Sequence, residues 1–311
     1  MPSAAELRRR WDDPEAARSV RAVRTWLTGQ GPQPDGLGVV GGRVDLRGIP
    51  LTATPATIGD PDDPARGVAW ESLDLSGAQL EELRFFGGSV RDCRFDGASL
   101  TGLKLWGTEV VDCSFKRADL RSRALGTGEW HGRRTVWRRV AFDRANLREA
   151  TFRGCLLEAC TFEKTTKRLL IEDCEVVDCV FTGVLDTLLV SGRALQHPVS
   201  PSMFSADFSR AVFEESKIEG YSLDRVVLPE QDDLLVVRHY PAAARRALAW
   251  LADQPQTPAD QQALHLVRYW ATAPAPEDGD LCLDLGERDD PEGAAALRRA
   301  FAHAEDEPAA G

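Results

Sequence analysis

With 311 residues, 43% apolar and 28% charged, the chain is long enough for a sizeable core and has an ordinary soluble composition. No stretch reaches the roughly 18 consecutive apolar residues of a membrane span. The first thirty residues, with Arg8, Arg9, Arg10, Asp12, Asp13 and Glu15, lack the apolar centre of a signal peptide, so a cytoplasmic location without a membrane partner is expected. The net charge of −11 is uneven: residues 1–69 carry 9 basic and 9 acidic groups, residues 70–230 carry 22 and 25, and residues 231–311 carry 7 and 15. The acidity therefore belongs mainly to the last segment and reads as a solvated surface.

Residues 1–30 predict an N-terminal helical cap. Asp13-Pro14-Glu15 is a helix start, with a capping Asp, Pro at the first helical position and an acidic first turn. Ala16, Val20, Val23, Trp26 and Leu27 follow at helical spacing, and Gly29 ends the run. Residues 31–69 are a linker rich in Gly, Pro and Asp. Within it, Val44-Asp45-Leu46-Arg47-Gly48 and Leu51 resemble one partial turn of the repeat that follows.

From residue 70 to 230 the apolar residues recur every five positions. Centres run Leu75, Leu80, Phe85, Val90, Phe95, Leu100, Leu105, Val110, Phe115, Leu120, Leu125 and Trp130, then resume at Trp137, Phe142, Leu147, Phe152, Leu157 and Phe162 after a jump of two. A further slip leads to Ile171, Val176 and Phe181, and a last run takes Met203, Phe208, Phe213, Ile218, Leu223 and Leu228. Two positions before each centre stands a small or apolar residue, such as Ala78, Cys93, Ala98, Cys113 and Ala118. A period of five fits neither a helix, at 3.6, nor a strand, at 2. It fits one short side of a square coil, with four sides to a turn of about twenty residues and turns stacked at about 4.8 Å. Residues twenty apart then share a side: Leu75, Phe95 and Phe115 form one core stack, Leu80, Leu100 and Leu120 another, and Cys93 and Cys113 a third. If the interruption near Arg133 adds no side, Cys155 and Cys174 join the Cys93 column, and Cys160 and Cys179 pair one side along.

Ala118-Asp119-Leu120, Ala145-Asn146-Leu147 and Ala206-Asp207-Phe208 resemble the unit of the pentapeptide-repeat family. Asp92-Cys93-Arg94-Phe95, Asp112-Cys113-Ser114-Phe115 and Ala159-Cys160-Thr161-Phe162 resemble the Cys-x-Phe units of its quinolone-resistance subgroup. The resemblance implies a mainly β fold, a right-handed quadrilateral β-helix, over about half the chain. A stiff coil offers large flat faces and little order to lose, which suits a non-enzymatic scaffold that binds a protein partner. The subgroup resemblance implies the alternative, a DNA mimic that inhibits or protects DNA gyrase or topoisomerase IV and confers resistance to quinolone-type poisons, and direct nucleic-acid binding is not expected. Mimicry asks for a strongly acidic face, since duplex DNA carries about one charge per 1.7 Å. The repeat region has a net charge of only −3.

Trp130, His131, Arg133, Arg134, Trp137, Arg138 and Arg139 interrupt the period with a basic and aromatic cluster, the candidate partner-binding loop. Arginines beside tryptophans suit phosphate, an acidic protein face or a single strand of nucleic acid. The alternative is that both tryptophans fill coil centres and the arginines pair with nearby carboxylates. Residues 183–202, with His197-Pro198 and Ser200-Pro201, read as a second projecting loop. No catalytic, metal-ligating or cofactor-binding set is found. The seven cysteines lack zinc spacing, six of them occupy the small inward slot, and the five histidines are scattered.

Residues 231–311 change to an acidic, mostly helical segment. Leu234–Val237 and Leu281–Leu285 read as strands, with helices opening at Pro241, Thr257-Pro258 and Pro291. The segment serves either as the cap that a coil end requires or as a surface for homodimerisation.

Overall fold

The computed structural model describes residues 4–12, 14–51, 56–164, 167–192, 203–254, 257–286 and 290–306. Asp13 and the 193–202 stretch that carries His197, Pro198, Ser200 and Pro201 lie outside the described residues.

The middle of the chain is β, and a rung of twenty residues is its unit. Each rung meets the next in parallel at four places about five residues apart: Trp70 opposite Val90, Asp74 opposite Arg94, Gln79 opposite Ser99 and Phe85 opposite Leu105. The backbone polar groups are satisfied between rungs, as in Leu75 N–H to Arg94 O at 2.7 Å and Arg94 N–H to Leu73 O at 2.9 Å. Turning at a corner requires a left-handed residue. At one corner Asp92, Asp112, Arg139, Ala159 and Asp178 all have φ between 50 and 55°. Aspartate tolerates that region better than most residues, because its short carboxylate bonds locally.

The inward positions stack. Leu75, Leu80, Phe95, Leu100, Phe115 and Leu120 are at most 2% exposed. Phe95 and Phe115 lie parallel with ring centroids 4.6 Å apart, and Phe142, Phe162, Phe181 and Phe208 continue the ladder at 4.9, 4.5 and 4.6 Å. The coil begins earlier than residue 70. Val44 pairs with Leu73, Pro50 with Gln79 and Ile58 with Phe85, so Leu46, Leu51 and Ile58 form the first rung. Helix α1 (Ala4–Arg9) and helix α2 (Pro14–Leu27) precede it. Val23 and Leu27 of α2 enter the coil core, and Leu27 O accepts the Trp70 indole N–H at 2.8 Å. Arg10 and Arg47 hold Asp45 at 2.7 and 2.9 Å. Burial alone would raise the Asp45 pKa, but hydrogen bonds from the two guanidiniums outweigh it and keep the carboxyl well below the usual range.

The register after residue 125 corrects four expectations. Val110 pairs with Trp137, a step of twenty-seven residues, so seven residues leave the coil there and Trp130 is not a centre. The cysteine columns are therefore exchanged. Cys93 and Cys113 are followed by Val140, Cys160 and Cys179, whereas Cys155 and Cys174 continue the column of Thr108 and Thr135. Residues 183–191 are not a loop. They belong to the strand Glu175–Ser191 and bury Leu185, Leu188 and Val190. Met203 is 52% exposed, and Phe204, 4% exposed, takes the inward place.

The last rung is closed by the C-terminal segment. Its strand Asp280–Asp284 pairs antiparallel with Lys217–Tyr221 of the coil and, on its other edge, with Leu234–Val237. Helices α3 (Tyr240–Ala252), α4 (Pro258–Thr272) and α5 (Pro291–Asp306) pack on one another around Tyr240, Ala247, Val267 and Phe301. Asp280, 3% exposed, accepts Leu223 N–H at 2.8 Å, His239 N–H at 3.0 Å and Arg238 at 2.6 Å, so its buried charge is paired.

Two outcomes follow from this core. Phe162→Ala empties a place between two stacked rings and should cost about 3–5 kcal/mol in urea unfolding. All seven thiols are at most 3% exposed. Burial, and then its hydrogen bond to Cys93, pushes the Cys113 thiol up, and burial pushes Cys282 up to about 12. The native protein at pH 8 should therefore leave a thiol-specific disulfide reagent unreacted until denaturant is added.

Candidate partner-binding surface

The seven extra residues fold back on the outside of the coil. Trp130 and Arg133 exchange backbone hydrogen bonds of 2.7 and 2.9 Å around His131 and Gly132, both in the left-handed region. The Trp130 ring then lies over two glycines of successive rungs. A Cβ on Gly87 would fall 3.2 Å from the ring and one on Gly107 2.8 Å, and both have positive φ. The indole N–H donates to Pro61 O at 3.2 Å, and Arg133 reaches Pro64 O at 3.4 Å. The insertion and the 60–66 loop are thus latched to the same side of the coil.

That side carries an aromatic patch which the period alone does not announce. Phe86 and Trp106 follow the inward centres Phe85 and Leu105 and point outward, stacked with centroids 4.4 Å apart at 7°. Trp130 extends the patch, 6.0 Å from Phe86. All three rings are half-buried. The available signal was an aromatic residue twenty positions after another, in an outward slot.

The candidate loop therefore divides. Trp130, His131 and Arg133 sit at the aromatic patch. Trp137 is fully buried and donates its indole N–H to Leu125 O at 2.9 Å, so it cannot meet a partner. The other arginines are taken up by carboxylates: Arg134 by Glu175 at 2.8 Å, Arg138 by Glu158 at 2.7 Å, and Arg139 by Asp112 through two bonds of 2.6 and 2.8 Å. The Arg139 hydrogen bond holds the Asp112 carboxyl below the usual range, and that from Arg134 does the same for Glu175.

Such pairs recur along the coil. Arg91 meets Glu109, Lys116 meets Asp143 at 3.1 Å, Arg153 meets Glu172 and Lys167 meets Asp186 at 2.8 Å, each across neighbouring rungs. Exposed pairs of this kind stabilise little, but they neutralise the surface. Among the described residues no three His, Cys, Asp or Glu side chains are grouped to hold a metal ion, and no helix is long and apolar enough to cross a membrane.

Replacing Arg133, Arg134, Arg138 and Arg139 with Ser should shift the melting temperature by no more than a few degrees. Trp130→Ala, which removes the latch, should cost about 1–2 kcal/mol in denaturant unfolding, part of what a fully buried aromatic is worth.

No family model matches the chain, and no curated protein matches it. Among solved structures it is similar to HetL, a pentapeptide repeat protein involved in heterocyst differentiation regulation from the cyanobacterium Nostoc sp. strain PCC 7120, with 17% identity over 60% of this chain and 86% of that one and a TM-score of 0.25. It is also similar to full-length QnrB1, a plasmid-mediated fluoroquinolone resistance protein, with 15% identity over 52% of this chain and 80% of that one and a TM-score of 0.25. At scores this low the assignment rests on the repeat itself. By its five-residue period, its twenty-residue rungs and its small-x-apolar inward pairs, the chain folds as a coil of pentapeptide repeats.

Proposed function

We propose that the protein is a non-enzymatic cytoplasmic scaffold, a right-handed four-sided coil that binds a protein partner through the side bearing Phe86, Trp106 and Trp130. The observation that carries this reading is the outward stack of Phe86 on Trp106 at 4.4 Å, extended by Trp130. Large aromatics held in one geometry, beside an arginine such as Arg133, are the residue types that dominate binding energy at protein interfaces. Their rotamers are already fixed by stacking on a stiff coil, so binding loses little side-chain freedom. The cross-rung ion pairs weigh against DNA mimicry, because a mimic must present carboxylates whose charge is not cancelled by the adjacent arginine.

Capture from native cytosol tests the reading. The partner retained by the wild-type chain should be lost by the Phe86→Ser/Trp106→Ser variant, whose outward substitutions should leave the fold intact by circular dichroism. Retention of the same partner by that variant would remove this side from the interface. Purified DNA gyrase should supercoil unimpeded, and remain sensitive to quinolone, at high micromolar concentrations of the protein. Inhibition or protection would restore the mimic.

A further inference from the structure

We propose that a groove on the same side of the coil, beyond the aromatic patch, receives an extended segment of the partner with acidic residues at one end and apolar residues at the other. The inference rests on the scaffold reading above and adds the chemistry of what is bound.

One outward column forms the groove floor. Lys104 pairs with Ala124, Leu125 N–H bonds to Thr151 O, and Thr151 pairs with Leu170, Leu170 with Leu189 and Leu189 with Lys217. Three cavities open along it in succession. The first, about 520 Å³, is lined by four cations, Lys104, Arg121, Arg123 and Arg148, against two carboxylates, Glu82 and Glu149. The second, about 370 Å³, shares Arg123 and Glu149 with the first and reaches Leu170 and Leu189. The third, about 470 Å³, shares Leu170 and Leu189, is walled by Tyr269 of α4 and Pro274 just beyond it, and includes Glu172, Lys217 and Glu219, whose charges are already paired with Arg153 and with each other. Five steps of about 4.8 Å make a trough of about 24 Å, the length of about seven residues of extended chain.

The two ends differ in chemistry. Among the described residues Lys104 and Arg148 have no ion pair, whereas most coil arginines are matched by a neighbouring carboxylate. Arg123, with its side chain 86% exposed, only approaches Glu149 at 3.8 Å. Lys104 and Arg148 are thus left to meet carboxylates from outside, with the loosely paired Arg123 beside them. At the other end Leu170 and Leu189 are half-buried and Tyr269 is 50% exposed, a surface that gains by being covered. A free phosphate would use only the first cavity and leave the apolar end bare, so a chain that spans both is the better fit.

The test selects short random peptides displayed on phage against the full-length protein. The enriched sequences, fluorescently labelled, are then titrated by anisotropy. They should combine Asp or Glu with Leu or Phe. Their affinity should fall about tenfold or more for Arg123→Ser/Arg148→Ser and for Leu170→Gln/Leu189→Gln, with both variants melting like the wild type. It should be unchanged for Phe86→Ser/Trp106→Ser and should weaken as salt rises. Three outcomes would overturn the groove: no enrichment, enrichment of basic peptides, or peptides that bind both groove variants as well as the wild type. Peptides lost only with Phe86→Ser/Trp106→Ser would leave the scaffold reading standing while removing the groove. Complete displacement by millimolar inorganic phosphate at constant ionic strength would assign the cations to a free anion instead.

Discussion

Everything in the coil depends on parallel backbone pairing between rungs. A rung cannot satisfy its own N–H and C=O groups, so each borrows from the one before and the one after. The pairing fixes register, and register decides which side chains point inward. One residue added within a side would turn every later inward residue outward, a penalty that any exposed Phe or Leu would pay in lost burial. Extra residues must therefore leave at a corner. Those before Trp137 do so, and the strand Glu175–Ser191 pairs with Phe204–Glu214 across a similar gap in numbering.

The same spacing organises the charges. Outward residues on successive rungs lie within reach of one another, so an arginine above a glutamate is a cross-strand pair repeated along the axis. Arg91 with Glu109 and Arg138 with Glu158 are two rungs of that pattern. The result is a nearly neutral coil on which the exceptions carry meaning. Lys104 and Arg148, which lack such a partner among the described residues, lie at one groove, and the outward aromatics Phe86, Trp106 and Trp130 gather at one patch.

Much of the architecture was legible in the residues, because burial imposes the period directly. Leu75, Phe95 and Phe115 were placed by spacing alone, and they are buried in one column. The errors arise where spacing has a decoy. Seven inserted residues equal one unit plus two, so Trp130 fell on the beat and passed for a centre while its ring sits outside on Gly87 and Gly107. The exchange of the cysteine columns follows from that single miscount. Met203 and Phe204 are both apolar neighbours, and only pairing with Val176 separates them. Phe86 and Trp106 fall outside the five-residue period, which marks only the inward slots. The groove is not legible in the residues, since Lys104, Leu170 and Tyr269 come to line one trough only once the coil has wound and α4 has folded against it.

The strand Asp280–Asp284 runs against the direction of every rung below it. A stack of parallel rungs has no intrinsic end, and its final edge is a template on which another chain could continue. The reversed strand occupies that edge, Leu234–Val237 takes its other side, and both pack in one core with the three helices. The molecule is thus a rod of set length, and whatever reads its surface reads a ruler whose divisions cannot multiply.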